Sequence, residues 1–412
     1  MDNRFNELQK KAYNTIVYER KSCFITGSGG TGKSFLIKQL KIDLEAKYYR
    51  RCDVTSTTGI SASLIEGVTI HRLLGIRLGT GSYKALYKMI TENRKVLSRW
   101  KALEVLIIDE VSMLTIELFE KLEKLARVLR KCDLPFGGIQ IVLVGDFLQL
   151  RNPEHTKYIF ESSIWNAVIS TTIVLNQIMR QSDEVFQRVL NKVRFGKIDD
   201  EVKEVLKSRE IKYNSKDGFI PTALYTTNAK VDAINKKYYD KLDSPEYKYS
   251  IKFKYYKNVV YREEYEHLIR FESELTLKIG CQVVYCTNNI EGLCNGSRGI
   301  IIGFIGGLPN VLFSNGIEMI ISPETLDIEK QDEVIFSYTQ IPLKLAWCMT
   351  IHKSQGSTLS LLRVDLKNIF EYSQFYVGIS RAVSLDGLYL RNLDFNTIKV
   401  HPKALEFYTN NK

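Results

Sequence analysis

The sequence predicts an α/β protein of two parallel-sheet domains, the second carrying a smaller all-β insertion. Three observations predict it. Short apolar runs alternate with stretches of helical spacing, as in a parallel sheet covered on both faces. The alternation occurs twice along the 412 residues, a length that suggests roughly two to four domains. The second series is interrupted, at about 236–335, by short β-like runs separated by Gly and Asn turns, the pattern of a small barrel or sandwich.

In chain order, Cys23-Phe24-Ile25-Thr26 is an apolar run ending at a glycine, and Leu36, Ile37 and Leu40 follow at helical spacing. Val54-Thr55, Val105-Leu106-Ile107-Ile108 and the run from Ile139 to Val144 read as further buried strands. Between the last two, Leu118, Leu122, Leu125 and Leu129 form one stripe of an amphipathic helix. A second set of strands is expected at Ile173-Val174-Leu175, Ala223-Leu224-Tyr225, Leu345-Ala346-Trp347 and Phe375 to Ile379. The insertion's strands are expected at Gln282 to Tyr285, Gly299 to Phe304, Val311 to Phe313 and Met319 to Ile321. The expected domains are therefore 1–76 with 102–168, broken by a basic interval at 77–101, then 169–235 with 336–412, broken by 236–335.

Apolar residues make up 44% and charged residues 25% of the chain, the balance of a globular protein with real cores. The net charge of +11 favours polyanions, either nucleic acid or an acidic membrane surface. Seven scattered cysteines, an odd number, suggest reduced thiols and an intracellular setting, nuclear or cytoplasmic. Cys281, Cys286 and Cys294 lie close in sequence, but no second CxxC or His pair completes a zinc site. No stretch is long or apolar enough to span a bilayer, and the polar start MDNRFNELQKK is no secretory signal, so no membrane partner is expected.

The stretch GSGGTGKS carries the first chemistry. Gly27, Gly32, Lys33 and Ser34 fit G-x-x-x-x-G-K-[ST], with an expected strand before and a helix after. Such a loop, here Gly27-Ser28-Gly29-Gly30-Thr31-Gly32-Lys33-Ser34, turns backbone N–H groups into one concavity that fits phosphates, and the helix N-terminus adds positive charge. Lys33 would reach the β- and γ-phosphates, and the Ser34 hydroxyl would ligate Mg²⁺. A loop of this kind that hydrolyses ATP, or another nucleoside triphosphate, also needs a carboxylate on a neighbouring strand. Asp109 would hold Mg²⁺, and Glu110 would orient and deprotonate the attacking water. Gln149, after the next strand and Gly145-Asp146, would sense the γ-phosphate and the water.

In the same chain order, the motifs resemble those of superfamily-one helicases of the Pif type, relatives of the RecD-like group, from about residue 5 to 391. Phe5-Asn6-Glu7-Leu8-Gln9 resembles their adenine-reading motif, with Gln9 on the base. Thr55 to Ala62, followed by Thr69-Ile70-His71, resembles a strand-binding motif. Ile108 to Met113, Pro135 to Gln140 leading into Gly145-Asp146-Phe147, Met179-Arg180-Gln181, Thr350 to Gly356, and Tyr376 to Ala382 resemble further motifs of that group. The resemblance implies two RecA-like domains with ATP in the cleft between them. It also implies a small wedge subdomain (1B) at 77–101 and an SH3-like β subdomain (2B) in the insertion. Arg180 and Arg381 would stabilise transition-state charge, and Gln355 and Gly356 would lie near the γ-phosphate. Thr57, Thr58, His71, Thr350, His352 and Lys353 would hold single-stranded DNA. The direction of movement, 5′ to 3′, comes from the resemblance alone, as does a preference for DNA over RNA.

Two stretches stay open. Residues 77–101 carry seven basic residues and one acidic, with Tyr83, Tyr87 and Trp100 among them. They read either as a duplex-splitting wedge or as a solvated basic helix packed by its aromatics. The Lys/Tyr-rich stretch from Lys236 reads as a DNA channel lining or as a twisted hairpin with a tyrosine ladder. Function accordingly reads as an ATP-driven DNA helicase acting on single strands and on forked or tailed duplexes. The alternative is a DNA-stimulated translocase that strips proteins and unwinds weakly. A scaffold with a dead ATPase would not need Lys33, Asp109, Glu110, Gln149, Arg180 and Arg381 together, and a small-molecule kinase would not need a second motif-bearing domain. A viral or mobile-element origin is a further expectation.

Overall fold

Side chains along the buried strands of the first sheet alternate between two cores. Phe24, Leu106, Ile108, Ile141 and Leu143 point into one, and Cys23, Ile25, Val105, Ile107, Val142 and Val144 into the other. In a strand, successive side chains face opposite sides, so a wholly apolar run requires cover on both faces. The computed structural model describes residues 5–58, 61–62, 65–77, 79–152, 157–179, 183–213, 220–256, 269, 271–287, 293, 297–330 and 333–410. It divides into two units, one of Met1–Val205, Phe370–Ser380 and Phe395–Lys412, the other of Leu206–Ile369 and Arg381–Asp394.

The first unit holds a six-stranded parallel sheet of β1 (Cys23–Gly27), β2 (Cys52–Ser56), β3 (Val68–Thr69), β4 (Val105–Asp109), β5 (Gln140–Gly145) and β6 (Thr171–Leu175), in the order β3-β2-β4-β5-β1-β6. Helices α1 (Glu7–Val17) and α2 (Lys33–Ala46) bury Ala12, Tyr13, Ile16, Leu36, Ile37 and Leu40 in one core. The helix Ile116–Arg130 buries the leucine stripe 118, 122, 125 and 129 in the other, at about 1.5–3 kcal/mol of transfer free energy per leucine. A C-terminal helix, Pro402–Asn410, adds Phe407 and Tyr408 to that same core.

Two expectations change here, and a third stretch is located. The strand at 173–175 belongs to the first sheet, not the second, because it pairs in parallel with β1 over Cys23↔Thr171 to Gly27↔Leu175. The run Phe375 to Ile379 is a helix, Gln374–Ile379, of the first unit, so the unit boundary falls inside the sixth motif. Residues 77–101 include two helices, Tyr83–Glu92 and Arg94–Ala102, with Leu86, Ile90, Val96 and Trp100 in the first unit's core. Trp100 donates its indole N–H to the Leu74 carbonyl at 3.0 Å.

The second unit holds a four-stranded parallel sheet in the order Cys348–Thr350, Thr222–Tyr225, Leu362–Asp365, Leu388–Arg391. Its β region contains a five-stranded antiparallel sheet of Glu318–Ile320, Leu308–Phe313, Arg298–Ile305, Gln282–Tyr285 and Leu343–Leu345. The insertion's β structure therefore runs past the expected limit of 335. Among the described residues of the Lys/Tyr stretch, the two strands do not pair with each other as a hairpin. Tyr247–Ser250 pairs with Glu274–Leu277, and Lys252–Tyr255 pairs with Glu333–Gln340. Residues 257–268 of that stretch lie outside the described residues.

Candidate active site

The loop 27–34 connects the end of β1 to α2. Gly27 has φ +154°, and a Cβ there would meet the Leu175 carbonyl oxygen at 2.4 Å, so only glycine fits against β6. Gly32, the residue before α2, is left-handed at φ +81°, with the Gln9 side chain close against it. Gln9 closes a capping box with Asn6 at the start of α1 and turns its amide toward the Thr31 carbonyl, 3.5 Å away. Helix α1 thus meets the glycine loop through Gln9. The Gly29 N–H donates to the Tyr376 hydroxyl at 3.3 Å. Ser34 is exposed in the first turn of α2.

Lys33 folds back on the loop and donates to the carbonyls of Gly27 at 2.7 Å and Ser28 at 2.9 Å. Burial lowers its pKa, while the carboxylates of Asp146, Glu110 and Asp109 pull it up. The structure therefore gathers those three carboxylates, from the ends of β4 and β5, within electrostatic reach of Lys33. Asp109 is buried, and its carboxyl is pushed up to about 7, first by burial and then by the charge of Glu110. Glu110 adopts φ 53°, ψ 44°, a left-handed conformation rare for a residue with a side chain.

The neighbouring loop secures both carbonyls of this pair. The Ser56 hydroxyl donates to Asp109 O at 3.4 Å, the Thr57 N–H donates to Asp109 O at 3.3 Å, and the Thr57 hydroxyl donates to Glu110 O at 2.9 Å. Gln149 is buried, and its N–H donates to the Asp146 carbonyl at 3.0 Å. Burial pushes the Asp146 carboxyl up, but Arg194 beside it outweighs this and holds it below the usual range. Tyr408 ties the same point to β1, since its hydroxyl donates to Asp146 Oδ1 at 3.1 Å, accepts from the Phe147 N–H at 3.1 Å and bonds Thr26 Oγ1 at 2.5 Å.

His71 is partly buried, and burial lowers its pKa. Among the described residues, no group of three or more His, Cys, Asp or Glu gathers to hold a metal.

Within the second unit, Thr350 ends a sheet strand and caps the next turn by accepting the Lys353 N–H at 3.2 Å. Lys353 is exposed, His352 partly so. Gln355 is buried, Gly356 is left-handed at φ +81°, and Arg381 is buried with its guanidinium 3.5 Å from the Ser357 carbonyl. Gln355, Gly356 and Arg381 thus share one neighbourhood of that unit. Arg180 lies outside the described residues. Arg194, Tyr408 and Tyr376 were missed as site residues. Arg194 reads as the polar end of an amphipathic helix, and Tyr408 lies 382 residues from Thr26.

A glycine loop between a parallel strand and a helix, beside two strands ending in carboxylates, defines a P-loop protein. Residues 4–204 match the model of the PIF1-like helicases. The chain is 34% identical, over 98% of its length, to the ATP-dependent DNA helicase PIF1 of Emericella nidulans, of which it spans 62%. It is also 34% identical over 98% of its length to the uncharacterized protein 030L of Invertebrate iridescent virus 6, spanning 94% of that protein. The crystal structure of the Pif1 helicase from Candida albicans aligns with a TM-score of 0.86 at 34% identity, over 99% of each chain. The chain belongs to the PIF1-like helicase family.

Proposed function

We propose that this chain is an ATP-dependent DNA helicase that moves 5′ to 3′ on single-stranded DNA and opens duplexes with energy from Mg²⁺-ATP hydrolysis. The observation that carries the reading is the glycine loop 27–34 between β1 and α2, with Asp109, Glu110 and Asp146 at the ends of β4 and β5 in the same parallel sheet. In this reading the Lys33 ammonium exchanges the Gly27 and Ser28 carbonyls for phosphate oxygens, and the loop's N–H groups take the rest. Glu110 orients the attacking water and accepts its proton. Gln149, tethered to Asp146, reads the γ-phosphate. Arg180 and Arg381 stabilise charge as the bond to the leaving phosphate breaks.

Asp109 and Ser34 fit Mg²⁺. A carboxylate pushed up first by burial and then by a neighbouring carboxylate is relieved by a divalent cation, and hydroxyl and carboxylate oxygens suit it. When bound, the ion neutralises charge on the phosphates. Thr58, His71, Thr350, His352 and Lys353 are the proposed strand contacts, with His71 acting as a neutral donor. Direction of movement rests on the resemblance to Pif-type enzymes, and an intracellular setting rests on the scattered cysteines. The test is ATP turnover with and without single-stranded DNA. Stimulation by the strand supports the reading, and turnover indifferent to DNA opposes it.

A second reading, a translocase with weak unwinding, draws on one observation. Trp100 is sealed in the core, which leaves Tyr83 and Tyr87 as the accessible rings of the basic interval.

A further inference from the structure

We infer that Thr57 is a positioning residue for Glu110 and does not hold the DNA strand. The inference rests on the proposed ATPase reading and concerns how its catalytic carboxylate is aimed. β2 and β4 run parallel with Ser56 opposite Asp109, so Thr57 and Glu110 are the first residues beyond the paired ends. There the Thr57 N–H bonds Asp109 O at 3.3 Å, and the Thr57 hydroxyl bonds Glu110 O at 2.9 Å. The Met113 N–H also donates to Glu110 O, at 3.0 Å.

The conformation these bonds hold is an unfavourable one. A glutamate at φ 53° persists only where its surroundings over-determine it. The direction of its Cα–Cβ bond follows from that backbone conformation. If the 109–110 peptides rotate, that bond, and the carboxylate it carries, is re-aimed. Thr57 supplies two of the bonds that prevent this.

The same bond argues against a strand contact. A threonine hydroxyl has one proton to donate, and phosphate oxygens offer none in return. With that proton on Glu110 O, the hydroxyl has nothing to give a DNA backbone.

The experiment compares the parent chain with Thr57→Val, Thr57→Ala and Thr57→Ser. It measures kcat and KM for ATP at saturating oligothymidylate, and the Kd for oligothymidylate by fluorescence anisotropy. Thr57→Val keeps the shape and deletes the hydroxyl, and Thr57→Ala gives the same information should valine disturb folding. The expected result is a kcat loss of about tenfold in Val or Ala, the rate equivalent of one net hydrogen bond, with KM and Kd within about twofold. Thr57→Ser, which restores the donor, should recover most of the loss. The inference is overturned if the Kd rises as much as kcat falls, if kcat is kept, or if serine does no better than valine. A parent chain that does not turn over ATP overturns this inference together with the proposed function.

Discussion

Arg194 grips Asp146 with two parallel hydrogen bonds, Nε to Oδ2 at 2.9 Å and Nη2 to Oδ1 at 2.8 Å, and both side chains are sealed from solvent. The pair joins the helix Glu184–Arg194 to the end of β5 and fixes a carboxylate whose field reaches Lys33. Breaking a buried pair leaves its partner charged and unsolvated, which is costlier than removing both.

Arg194→Met should therefore destabilise the chain by about 3–5 kcal/mol, and the double variant Arg194→Met, Asp146→Leu by clearly less. Denaturant unfolding of the parent, Arg194→Met, Asp146→Leu and the double variant checks this. The pH sign follows from the lowered pKa of Asp146. Its stabilisation is complete above the ordinary carboxylate pKa and is lost as pH falls through the lower folded value. The stability difference between parent and Asp146→Asn should stay level above about pH 5 and shrink below about pH 4.

Lys33→Ala should cut ATP turnover by about 10²-fold or more, since it removes the cation that meets the phosphates. Single-strand affinity should be kept, because the proposed strand contacts are other residues. Steady-state hydrolysis and an anisotropy titration measure the two effects separately. Turnover at the parent rate would remove the phosphate assignment.

Arg381→Ala should lower kcat far more than it weakens ATP binding, because a charge aimed at the breaking bond gains most in the transition state. Comparing kcat with the Kd of a fluorescent ATP analogue makes the distinction. Equal losses would make Arg381 a ground-state ligand.

Much of this site was legible because its parts are local. Gly27, Gly32, Lys33 and Ser34 need only eight consecutive residues and a strand-loop-helix context, and Asp109-Glu110 ends an unmistakably buried run. What was not legible depends on partners far away in the chain. The 173–175 strand looks the same whichever sheet accepts it, and only its pairing with β1 assigns it to the first. The run 375–379 is too short for periodicity to separate helix from strand. Arg194 reads as a solvated helix end until Asp146, 48 residues earlier, is placed beside it. The resemblance places Thr57 among the strand contacts, and the bond from its hydroxyl to Glu110 O, 53 residues on, is invisible in the sequence.

Strand separation on two partial duplexes decides whether the chain is a DNA motor. One carries a 5′ tail and the other a 3′ tail, each with ATP and Mg²⁺. The 5′-tailed duplex is expected to open and the 3′-tailed one to stay closed. Opening only the 3′-tailed duplex would contradict the direction. Opening neither, with hydrolysis unaffected by single-stranded DNA, would contradict the motor itself.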